Sequence, residues 1–166
     1  MSDKPYFRFH PGAYERGEFT ESDETCAVCK QACGWKFEGL IYAELDDDPI
    51  VCARCLAEGR LESVAPGYGL HDMDFESAPR PEFVAEIEKR TPGFSTWNAF
   101  TWPVRDGVPL AFVGYGADAA FKGVDAVTEA VTEAFAAYGV EEGNPTYALV
   151  FKTLEGEAYV AVVDYD

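Results

Sequence analysis

Positive charge, histidine and long apolar runs are what this sequence has least of. Thirteen Lys and Arg stand against 30 Asp and Glu, a formal net charge of −17. Such a field repels phosphate backbones and anionic lipid surfaces, so nucleic acid is not expected as a partner. Lys30, Lys36, Arg54 and Arg60 are matched locally by Glu38, Glu44, Asp46, Asp47, Asp48 and Glu58, which leaves no clustered basic surface for duplex recognition. No run approaches the roughly 18 apolar residues of a membrane-spanning helix, so no membrane insertion is expected. The opening Met1-Ser2-Asp3-Lys4-Pro5 lacks the basic and apolar regions of an export signal, and a cytoplasmic location is the default expectation.

Catalytic signatures are missing too. The chain has no phosphate loop, no dinucleotide fingerprint and no Gly-x-Ser-x-Gly elbow. Acidic residues are so common that their positions single out no acid–base pair, and Asp46-Asp47-Asp48 reads as a solvated turn. The only histidines, His10 and His71, are too scattered to suggest a metal site of their own. No residue is assigned a catalytic role.

What is present is apolar surface and cysteine. At 48% hydrophobic and 14% aromatic, the chain has enough to bury to be globular. Its 166 residues suffice for one ordinary core, or for a metal-stapled lobe joined to a domain of about 100 residues. Four of the five cysteines fall into two pairs, Cys26-x2-Cys29 and Cys52-x2-Cys55. In a reducing compartment such pairs indicate metal rather than disulfides. Soft thiolates select zinc or iron over magnesium and calcium, and four of them close a tetrahedron with no position left for water. One structural zinc ion per chain is the expectation. An iron–sulfur centre, a dithiol redox pair and plain buried thiols are the alternatives. Cys33 is either a substitute ligand or an ordinary buried thiol.

The pattern along the chain predicts an α+β protein. Tyr6 to His10 alternate like a short strand, followed by a polar loop. A knuckle at Cys26–Cys29, a strand over 35–42, a turn at 46–49 and Ile50-Val51 describe a hairpin held between the cysteine pairs. Cys52 to Glu58 then form a short helix that Gly59 ends. Knuckle, hairpin and helix make residues 1–61 a treble-clef-like zinc lobe. Residues 62–79 read as a linker, and 80–166 as an α+β lobe with antiparallel strands and two helices. Within that lobe the pattern predicts a helix over 81–90, strands over 98–104 and 108–115 around Asp106-Gly107, a helix over 118–138, and a terminal hairpin of 147–151 with 158–163. Trp97, Phe100 and Trp102 follow the first helix as core, or as part of a binding surface beside the metal lobe.

Phe9-His10-Pro11, the two cysteine pairs, Leu56-Ala57-Glu58-Gly59 and Arg90-Thr91-Pro92-Gly93-Phe94 with Trp97 occur in one order that resembles the CbrC family, bacterial proteins associated with colicin tolerance. The resemblance covers most of residues 7–115. It implies a small cytoplasmic protein without established enzymatic activity, and suggests a protein-interaction adaptor in colicin tolerance or envelope stress whose partner is an unknown protein. The other reading is an enzyme or small-molecule binder with a cleft between the two lobes, lined by Trp97, Trp102 and the linker, with His71 or an acidic residue reactive. Family members carry further cysteines where this chain has Asp106, Leu110, Thr153 and Gly156, which implies that a second metal site is absent here.

Overall fold

The computed structural model describes residues 4–165, so Met1-Ser2-Asp3 of the opening segment lie outside the described residues. In chain order the elements are strands β1 (Phe19–Thr25) and β2 (Ala32–Phe37), helix α1 (Ala53–Ala57), strand β3 (Met73–Phe75) and helix α2 (Pro81–Arg90). Strands β4 (Phe100–Trp102), β5 (Val104–Arg105), β6 (Val108–Pro109) and β7 (Ala111–Tyr115) follow, then helix α3 (Asp125–Ala137) and strands β8 (Ala148–Lys152) and β9 (Tyr159–Val163). The mixed helix and strand content agrees with the predicted class. None of the described helices is long and apolar enough to cross a membrane.

Contacts divide the chain into two compact units. The first runs up to Asp72 and resumes over Pro81–Ser95; the second comprises Met73–Arg80 and Thr96–Asp166. The sequence boundaries placed α2 in the C-terminal lobe and made 62–79 a linker. In the structure α2 belongs with the cysteines, and β3 belongs with the second unit. Local contacts explain the assignment of α2. Ile87 is fully buried, Leu70 N donates to Glu88 O at 3.0 Å, and the Tyr68 hydroxyl donates to Lys89 O at 2.7 Å. Arg8 grips both oxygens of the Glu86 carboxylate.

Two strand expectations in the first unit need correction. Phe7 and Phe9 are buried as the alternation implies, yet their segment closes turns on itself, with His10 N donating to Phe7 O and Ala13 N to His10 O. The hairpin is formed by β1 and β2, which flank the first cysteine pair, and not by strands held between the pairs. β1 pairs antiparallel with β2, Phe19 opposite Phe37 and Thr25 opposite Ala32. Only Phe19 of β1 is buried, so the strand carries almost no apolar signal and reads as loop. The predicted strand over 35–42 ends at Phe37, whose N–H is taken by Val51 O at 2.9 Å.

The second unit follows its sequence pattern more closely. β5 and β6 pair around Asp106-Gly107, whose φ values of 51° and 76° suit the two central residues of a tight hairpin turn. β7, β8 and β9 form an antiparallel sheet in that order. Val127, Val131 and Phe135 of α3 are buried with Ala148 and Val150 of β8. The helix starts later than residue 118 because Gly123, at φ 79°, separates it from a short 3-10 turn over Ala119–Phe121. β3 runs parallel to β4, Phe75 opposite Trp102. Trp102 is fully buried, its ring 5.4 Å from that of Phe151, and its Nε1–H donates to Leu110 O at 2.8 Å.

Trp102→Ala therefore removes a ring and orphans a buried carbonyl. Urea denaturation should show a loss of about 3–5 kcal/mol, and a loss below about 1 kcal/mol would mean that the ring does not organise this core.

Candidate metal centre

The two cysteine pairs reach one point by different local routes. At the first pair the backbone folds into a knuckle: Lys30 N donates to Cys26 O at 2.9 Å and Cys26 N to Gln31 O at 2.8 Å. Lys30 adopts φ 63°, the left-handed conformation that reverses the chain there. At the second pair, Cys52 occupies the N-cap of α1 in extended conformation, and its sulfur accepts the N–H of Cys55 at 3.4 Å. A cysteine sulfur thus stands where a serine or aspartate oxygen caps most helices. Val28 N donates to Cys26 Sγ at 3.4 Å in the same fashion. Ala27 N donates to Ile50 O at 2.8 Å, and Lys36 bridges to Cys52, which joins the two routes.

The sulfurs of Cys26, Cys29, Cys52 and Cys55 all lie within 4.8 Å of one another. Cys26 Sγ is 3.9 Å from Cys55 Sγ, and Cys29 Sγ is 4.0 Å from Cys52 Sγ. No disulfide joins them. Four sulfurs bonded tetrahedrally at about 2.3 Å would be about 3.8 Å apart, so the spacing fits a metal ion. Cys26, Cys52 and Cys55 are buried and Cys29 is half-buried. Among the described residues this is the group of potential ligand side chains that comes together. Cys33 lies outside it as a buried thiol, its pKa pushed up to about 12 by burial and by the neighbouring cysteines.

Protonation of the cluster bears on what a cation would do there. Burial raises the pKa of Cys55 and of Cys52. Cys29 goes the other way: burial raises its pKa, but hydrogen bonds from the Gln31 backbone, from Cys26 and Cys55 and from Arg54 outweigh it and bring the pKa down to about 7. Without metal the pocket disfavours assembling four negative sulfurs, whereas a bound cation deprotonates its thiol ligands. Two guanidinium groups adjoin the sulfurs. Arg60 Nη1 is 3.9 Å from Cys55 Sγ, and Arg54 is raised above its usual pKa chiefly by its hydrogen bond to Cys29.

The other residues singled out from sequence divide cleanly. Trp97 is 74% exposed, whereas Phe100 and Trp102 are buried and cannot present their rings to a partner. His10 Nδ1 meets Pro92 O at 3.1 Å and His71 Nε2 meets Thr91 O at 3.0 Å, so each donates to a carbonyl of the turn after α2. Both rings lie against Phe94, with centroids 5.5 and 5.7 Å away. Gly93 in that turn has no room for a side chain, since a Cβ would sit 2.7 Å from Leu70 O. Two motifs far apart in sequence, Phe9-His10-Pro11 and Arg90-Thr91-Pro92-Gly93-Phe94, thus meet in one clamp. Of the positions expected to lack family cysteines, Asp106 and Gly156 lie in turns, Thr153 N bonds Ala158 O and Leu110 is buried.

The clamp has a pH signature. Burial lowers the His10 pKa to about 4 despite the Pro92 carbonyl, with Arg16 adding to the shift. Burial likewise lowers the His71 pKa, to about 3, despite the Thr91 carbonyl. A histidine held neutral binds fewer protons folded than unfolded, so its stabilisation is complete above about pH 6.5 and is lost as pH falls toward 4. The loss between pH 6.5 and 5 should be roughly 2 kcal/mol for His10. His10→Gln should flatten that slope in urea titrations; an unchanged slope would refute the assignment.

A family model described as an uncharacterised protein family, UPF0167, matches the chain over residues 4–164. UPF0167 proteins of Mycobacterium bovis and Mycobacterium tuberculosis are each 31% identical over 111 residues, covering 66% of this chain and 59% of the relative. One from Pseudomonas aeruginosa is 30% identical over 115 residues, covering 66% of this chain and 63% of the relative. The chain thus spans about three-fifths of the length of these curated relatives. No solved structure matches it. On the match from residue 4 to residue 164, the chain belongs to the uncharacterised family UPF0167.

Proposed function

We propose that Cys26, Cys29, Cys52 and Cys55 hold one zinc ion with a structural role, in a treble-clef-like lobe of a non-enzymatic protein that acts through contacts with another protein. The observation that carries the metal reading is the closed four-sulfur group, with separations of 3.9 and 4.0 Å between paired sulfurs. Four protein ligands fill a tetrahedral ion and leave no site for a reacting water. Zinc bound by four thiolates has a net charge of about −2, and Arg54 and Arg60 beside the sulfurs offset it. The knuckle followed by a second pair on the first turn of α1 supports the treble-clef assignment.

The CbrC resemblance supports a role in colicin tolerance or envelope stress, and the −17 charge supports a protein partner over nucleic acid. The default compartment is the cytoplasm, where reduced cysteines persist.

Cys52→Ser removes one sulfur ligand but leaves an oxygen that can still cap α1, so its effect reports on the metal rather than on the helix start. The variant should lose zinc and the cooperative unfolding of the first unit, and excess chelator should reproduce the effect in the unaltered protein. Full metal occupancy and unchanged thermal stability in Cys52→Ser would contradict the proposal.

A further inference from the structure

The second unit carries a concavity of about 420 Å³ lined by Trp97, Asn98, Tyr147, Asp164 and Tyr165. Three of the five are aromatic, and their rings form a continuous series: Trp97 and Tyr147 have centroids 6.1 Å apart at 56°, Tyr147 and Tyr165 5.2 Å apart at 47°. Trp97 is 74% exposed, yet its backbone is fixed. The Asp164 carboxylate accepts Trp97 N at 2.6 Å, Asn98 N at 2.9 Å and Asn98 Nδ2 at 3.3 Å, and Asp164 N donates to Tyr147 O at 2.7 Å. A buried carboxylate thus pins both walls of the hollow, and Tyr165 adds a further tie by accepting Asn144 N at 3.3 Å.

Aromatic faces are electron-rich and attract cations to within about 6 Å of the ring centroid. The Asp164 carboxylate that lines the same hollow acts in the same direction. The segment that supplies Tyr147 adds no positive charge, since no Lys or Arg falls between Lys122 and Lys152. Asp164 is the one charged side chain among the lining residues, and its sign disfavours an anion there. The volume lies within the roughly 300–1,000 Å³ of ordinary ligand sites.

We propose that this concavity binds an organic cation, an alkylammonium or guanidinium group, against the exposed Trp97 ring and the neighbouring Tyr147 and Tyr165 rings, with Asp164 lining the same hollow. The site rests on the second unit alone and stands independently of the metal reading.

The test uses the whole 166-residue chain and follows the Trp97 indole and Asn98 backbone N–H signals by NMR. The probes are choline, N-acetyl-arginine amide and, as the uncharged match for choline, 3,3-dimethylbutanol. A saturable shift with choline alone assigns a quaternary ammonium; a shift with the arginine probe assigns a basic side chain presented by a protein. Tyr147→Ala, and Trp97→Ala followed at Asn98, should each weaken the binding at least about fivefold, and both can be checked for native unfolding. Absence of a shift with both cations would overturn the proposal. An equal shift with 3,3-dimethylbutanol, or full affinity in both folded variants, would overturn it as well.

Discussion

The convergence of four cysteine sulfurs within 4.8 Å is the constraint on which the first unit depends. Its neighbouring elements are weak by themselves. α1 has five residues, far below the dozen or so that an isolated helix needs in water. β1 buries a single side chain, and its pairing with β2 leaves both sequence neighbours of the knuckle exposed. Cys52 belongs to the cluster and caps α1 at once, so whatever holds its sulfur also starts the helix. On the proposed reading, zinc supplies the binding free energy that these short pieces lack, as it does in other small metal-stapled lobes.

A second organising feature lies away from the cysteines. The His10 and His71 rings each donate to a carbonyl in the turn that ends α2, with Phe94 between them. This clamp, the Arg8–Glu86 pair and the burial of Ile87 tie α2 to the cysteine-bearing unit. Histidines that look like candidate reactive groups in a sequence are thus used as neutral, fixed donors. Burial is the main cause of their depressed pKa values.

How much was legible in advance depended on the kind of signal. The Cys-x2-Cys pairs named the sulfurs that come together, because short-range geometry at each pair is set by two intervening residues. α2, α3, the Asp106-Gly107 turn and the terminal hairpin were legible because apolar spacing and turn residues mark them locally. β1 was not, since its sequence, Phe-Thr-Glu-Ser-Asp-Glu-Thr, is polar and its strand character comes from the partner β2. The unit boundary was also hidden: α2 joins the earlier part of the chain through contacts with Leu70 and Tyr68 that leave no periodic trace. Among the aromatics, Trp97 and Trp102 look alike in sequence, and only the fold puts one in solvent and the other in the core.

Two surfaces with separate chemistry emerge: a closed sulfur cluster suited to holding a lobe together, and in the other unit an open aromatic concavity that a carboxylate also lines. The most direct test of the account is elemental analysis of untagged protein purified without added metal, combined with thiol counting before and after denaturation in chelator. The account predicts one zinc per chain and about four thiols newly released by that treatment. Protein without zinc, or coloured protein containing iron, would contradict it.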